Sequence, residues 1–121
     1  MADFTVPKGK DYTFTVKVMG YESFLPQDLT TLTSAKIDII DISTSVKLFT
    51  VSIYTIIDAI NGMLKFTLPA VNTAAMVSER GEKVDDYYLK PTYQAIITIT
   101  GSGFTEILSI IDKVYVIPVG A

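Results

Sequence analysis

Apolar residues recur at every second position through most of this chain, the spacing that gathers side chains on one face of a β-strand. Between Asp11 and Met19, Tyr12, Phe14, Val16 and Val18 alternate with Thr13, Thr15 and Lys17, predicting a strand with one buried and one wet face. Ser34 to Ile42 repeats the pattern through Ala35, Ile37 and Ile39, with Lys36 and Asp38 facing out. Lys47 to Ile57 reads as one longer strand, with Phe49, Val51, Ile53 and Ile57 on one face and Thr50, Ser52 and Tyr54 on the other. Met63 to Leu68 points Leu64, Phe66 and Leu68 inward. Thr92 to Thr100 does the same with Tyr93, Ala95, Ile97 and Ile99. Gly101-Ser102-Gly103 then separates it from a second apolar run, Phe104 to Val119, which is a hairpin signal. Phe4 to Val6 adds a short edge strand or arm ahead of a turn at Pro7 to Lys10.

The interruptions are as informative as the runs. Asn61-Gly62 favours a two-residue type I′ turn, because both residues accept positive φ. Val71 to Arg80 is the only helix candidate, with Asn72 placed to cap its start and Gly81 to end it. Gly20 to Thr33 breaks every period while carrying Tyr21, Phe24, Leu25 and Pro26, and so reads as a long connection with adhesive side chains. Glu82 to Asp86 is a charged connector crossing between sheets through Tyr87-Tyr88. Near the end the alternation fails around Asp112-Lys113, and Tyr115, Ile117 and Val119 oppose Val114 and Val116. Lys113 to Val119 is therefore apolar on both faces, which demands a central position or cover from a neighbouring subunit. The sum is a single all-β domain over residues 1–121, an immunoglobulin-like antiparallel β-sandwich of about seven to eight strands with one short helix. A closed barrel is the alternative, and with Cys and Trp both absent "immunoglobulin-like" describes architecture alone.

Composition narrows what such a domain does. Of 121 residues 49% are hydrophobic and 19% charged, enough for a real core, with the excess apolar content explained either by cover from another subunit or by a tightly packed sandwich. The net charge of -3 comes with basic residues scattered singly, so no stripe follows a phosphate backbone and nucleic acid is not an expected partner. No apolar stretch approaches the roughly twenty residues that span a bilayer, and the opening residues lack a signal-peptide pattern, predicting a soluble protein made in a cytoplasm. There is no cysteine and no histidine, which removes disulfides, thiolate chemistry and the commonest general base. Gly9-Lys10 ends like a phosphate-binding loop, but Asp11 stands where Ser or Thr is required. Glu82, Asp85 and Asp86 are oxygen ligands without the spacing of a calcium loop. No catalysis, cofactor or metal is predicted. The candidate site residues are instead those of an interface: Tyr21, Phe24, Leu25, Tyr87, Tyr88 and Tyr115. Tyr21, Phe24, Leu25, Tyr87 and Tyr88 equally suit plugging the two ends of the sandwich, and a stacking platform for a carbohydrate or receptor, using Tyr21, Phe24, Tyr87 and Tyr88, is a further competing use.

Four segments in order carry a resemblance. They are the strand Tyr12-x-Phe14-x-Val16, the step Gln27-Asp28-Leu29-Thr30 before Ser34-Ala35, the return Asn61-Gly62-Met-Leu-Lys-Phe-Thr-Leu-Pro69, and Tyr87-Tyr88 crossing into Tyr93-Gln-Ala-Ile-Ile97. Together they resemble the immunoglobulin-like structural domains of tailed-phage tails, nearest to the N-terminal domain of siphophage upper baseplate proteins and to small tail collar proteins. The resemblance implies a virion structural protein, made in the host cytoplasm. It would assemble with itself, in the manner of a ring, and dock on other tail or capsid proteins as a collar- or decoration-type subunit.

Overall fold

Ten strands and one helical turn run through residues 3–20, 25–84 and 87–118, the residues that the computed structural model describes. In chain order they are β1 (Phe4–Pro7), β2 (Tyr12–Lys17), β3 (Leu32–Asp41), β4 (Lys47–Val51), β5 (Tyr54–Asp58), β6 (Met63–Leu68), α1 (Ala70–Thr73), β7 (Glu79–Val84), β8 (Tyr87–Lys90), β9 (Tyr93–Gly101) and β10 (Phe104–Ile117). The fold is an all-β sandwich. A five-stranded sheet ordered β1-β10-β9-β3-β4 faces a three-stranded sheet ordered β2-β6-β5, and β7 with β8 forms a separate hairpin. The seven runs read as strands become ten, because β7 and β8 occupy residues read as helix end and connector and the run Lys47 to Ile57 divides into β4 and β5. The sheets are also not purely antiparallel, since β1 lies parallel to β10 from Phe4↔Val114 to Pro7↔Ile117.

The core follows from the alternation. Ala35, Ile37 and Ile39 on β3 pair in register with Ile99, Ile97 and Ala95 on β9, so one face of the large sheet is a continuous apolar surface. Opposite it, Leu64, Phe66 and Leu68 are fully buried, and Phe66 stacks on Phe14 at 5.6 Å between ring centres. Aromatic pairs at such spacing add to the area term.

Three expectations are corrected. The run Lys47 to Ile57 is two strands in different sheets. β4 pairs with β3, and after Ser52-Ile53 the chain crosses to pair β5 with β6, with Thr67 N–H donating to Ile53 O at 3.1 Å. The crossing inverts the phase of the pattern: Tyr54 packs on the core, whereas Ile53 and Ile57 are 52% and 53% exposed. The helix over Val71 to Arg80 shrinks to one turn at Ala70–Thr73, with Pro69 rather than Asn72 at its N-cap. It ends because Val77 N–H donates to the Tyr93 hydroxyl at 2.7 Å and Ser78 donates to Val116 O at 2.6 Å, bonds that hold an extended chain against the sheet. Finally, Asn61-Gly62 is not a two-residue turn. Ala59 to Gly62 form the loop, closed by Gly62 N–H on Ala59 O at 3.3 Å, and of these residues only Gly62 has positive φ, 71°.

The irregularity at Asp112-Lys113 has a structural form. The β9–β10 register shifts between Ile111 and Val114, a bulge that returns Val114 to the inner face opposite Tyr93. Val114 and Val116 are fully buried and Tyr115 is 8% exposed, so the two-sided strand is covered within the chain at these three residues; Val119 lies outside the described residues. β8, whose Leu89 is 4% exposed, packs against β10 from outside the main core.

Candidate interaction surfaces

The predicted interface residues do not form one patch. Tyr21 and Phe24 lie outside the described residues. Leu25 is 65% exposed at the base of the same loop, where Gly20 N–H donates to Leu25 O at 2.7 Å and Met19 bridges to Pro26. Tyr87 is half-buried and Tyr88 exposed on β8, and the Arg80 guanidinium lies 5.9 Å from the Tyr88 ring centre, occupying one face of it. Beside Tyr88 is a shallow hollow of about 400 Å³ that Ser78, Arg80 and Leu89 also line. Tyr115 is buried under its own chain and presents almost no surface.

Two other features expose far more apolar area. The first is the edge where the chain changes sheets. β4 ends one sheet and β5 ends the other, so two unpaired strand edges lie consecutively in sequence. Val46, Leu48, Ile53, Ile56, Ile57 and Ile60 are between 39% and 70% exposed along it. The register shift between Ile56 and Asp58 leaves Ile57 as a bulge residue, which turns its side chain out. Free edges with exposed apolar side chains are templates for association unless something covers them.

The second is a cleft of about 650 Å³ between the two sheets, beside Phe4, where β1 begins. Tyr12, Phe14 and Val16 of β2 line one side, and Phe4 of β1 with Ile97, Ile99, Ile107 and Ile111 line the other. Exposed Asp3 and Lys17 reach its rim. Burial raises the Tyr12 phenol above its ordinary pKa, partly offset by a hydrogen bond with Thr5 backbone. The cleft was not legible in the sequence because residues from four strands line it; the aromatic spacing of Tyr12 and Phe14 marked only its floor.

The carboxylates with perturbed acidity are turn-formers. Side-chain and backbone bonds from Ser43 hold Asp41 below the usual carboxylate range, Asn61 does the same for Asp58, and Thr30 N–H with its hydroxyl for Asp28. Each caps its own loop, as Asx turns do. Glu82 is exposed on β7, and Asp85 and Asp86 lie outside the described residues. Among the described residues no group of three His, Cys, Asp or Glu side chains converges to hold a metal ion. No helix among them is long and apolar enough to cross a membrane. The chain matches no protein-family model and no curated protein.

Proposed function

We propose that the chain is a structural subunit of a tailed-phage particle, of tail collar or baseplate type, that acts by self-association and by docking on a tail scaffold. The immunoglobulin-like grouping of its sandwich belongs to the same reading. The observation that carries it is the exposed apolar strip at the β4–β5 edge, where Ile53, Ile57 and Ile60 are 52%, 53% and 70% exposed beside two unpaired strand edges. Exposed apolar side chains beside unpaired strand edges are costly in water and become favourable in an assembly, where closed symmetry covers strand edges. Sedimentation of the purified protein is expected to give a defined oligomer, visible as a ring by electron microscopy. The double substitution Ile53→Asp, Ile57→Asp is expected to return it to monomers that keep their β-sheet circular dichroism. A strictly monomeric protein at high concentration, with no binding to tail or capsid particles, overturns the reading.

A further inference from the structure

We propose that the cleft beside β1 is a socket for an extended segment of another protein of the particle. The segment carries apolar side chains at alternate positions, an acidic residue toward Lys17 and a basic residue toward Asp3. The inference names a docking surface for the assembly role above and rests on that reading.

β1 shows how such a segment sits. Phe4 and Val6, two residues apart, drop into the core while Thr5 between them is only half-buried. The Phe4 ring meets Phe14 at 4.5 Å and Tyr12 at 5.6 Å. The β1 ladder on β10 begins at Phe4↔Val114, and the cleft continues the same seam beyond Phe4, between Val16 on one side and Ile107 and Ile111 on the other. Its volume of about 650 Å³ suits a ligand or several side chains rather than water alone. The walls are apolar and the seam is built for a strand, so an occupant with period-two apolar residues repeats the contacts that Phe4 and Val6 already make.

The charges at the rim select among elongated apolar occupants. Asp3 precedes Phe4, whereas Lys17 stands three residues beyond Phe14 along β2, about 10 Å at the rise of a strand. Opposite charges separated along the groove match a polypeptide bearing both signs. A fatty acid brings only one.

The test uses the full chain and the synthetic peptide Glu-Phe-Thr-Val-Lys with blocked ends, whose charges stand about 13 Å apart when extended, followed by side-chain NMR at a protein concentration below self-association. Saturable shifts at Phe14, Val16 and Ile107 are expected. Lys17 is exposed, so Lys17→Glu leaves the fold intact; it is expected to weaken this peptide about threefold and to strengthen Lys-Phe-Thr-Val-Glu by a similar factor. Three outcomes overturn the proposal: no saturable shift in the cleft up to millimolar peptide, equal binding of a peptide with its apolar residues made consecutive, or saturation by dodecanoate while both peptides fail. Because binding is read on monomers, loss of the socket leaves oligomer formation untouched, and loss of oligomers leaves peptide binding readable.

Discussion

The strand Tyr93–Gly101 and the pair Lys47–Val51 and Tyr54–Asp58 start from the same kind of sequence and end in opposite situations. Both are β-branched, apolar and alternating. β9 lies between β3 and β10, so its phase is fixed from both sides, and Tyr93, Ala95, Ile97 and Ile99 are each 2% exposed or less. β4 and β5 each have one neighbour, and nothing prevents the chain between them from slipping its phase as it changes sheets. Alternation therefore states which residues share a face. Whether that face is covered depends on the neighbours a strand acquires, which period alone does not encode.

The largest effect expected separates these regions. Phe66→Ala removes a fully buried ring that touches Phe14 and Tyr54, and is expected to cost about 3–5 kcal/mol in urea unfolding. Ile57→Ala at the bulge is expected to stay within about 0.5 kcal/mol; equal losses would erase the distinction. Next comes Gly62→Ala. Its φ of 71° is compounded by Val18 O, only 2.5 Å from where a Cβ would stand, and a loss of about 1–3 kcal/mol is expected. Gly103→Ala, at φ 84° with open space around it, should lose less, about 1 kcal/mol. Tyr93→Phe deletes the hydroxyl that accepts Val77 N–H, for about 1 kcal/mol and faster amide exchange at Val77. The smallest effects are in pH. Asp28, Asp41 and Asp58 have folded pKa values lowered by their turn bonds, so their stabilisation is present above the ordinary carboxylate pKa. It is lost as pH falls below about 4, where amide exchange at Thr30, Ser43 and Asn61 should accelerate. Burial raises Tyr12 and Tyr93, so stability is full below about pH 10 and declines above it.

Much of the inner surface was legible because it obeys one rule along whole strands: Phe14 and Val16 on β2, Leu64, Phe66 and Leu68 on β6, and the β9 set all lie where period two puts them. The Gly101 to Gly103 hairpin was legible from its composition, and Gly103 takes the positive φ it allows. The rest failed where tertiary contacts outrank local signals. No Gly or Pro marks Ser52-Ile53, so the sheet crossing left no trace. Ala74, Ala75 and Met76 read as helix, yet Met76 is fully buried and the chain after it is held extended by Tyr93 and Val116. Of the candidate site residues, Leu25 and Tyr88 are exposed and Tyr115 is covered. The β4–β5 strip and the cleft were hidden because both depend on which strands have neighbours.

The parallel pairing of β1 with β10 also sets how the molecule bears load. β1 runs from Phe4 beside Val114 to Pro7 beside Ile117, so tension applied at the Phe4 end and the Ile117 end pulls the two strands past each other along their length. The ladder is then loaded in shear. Its hydrogen bonds must fail together instead of unzipping one at a time, as they would if the pull were perpendicular to the strands. A domain strung between neighbours by these two strands resists extension in the one direction in which its own chain would otherwise be drawn out.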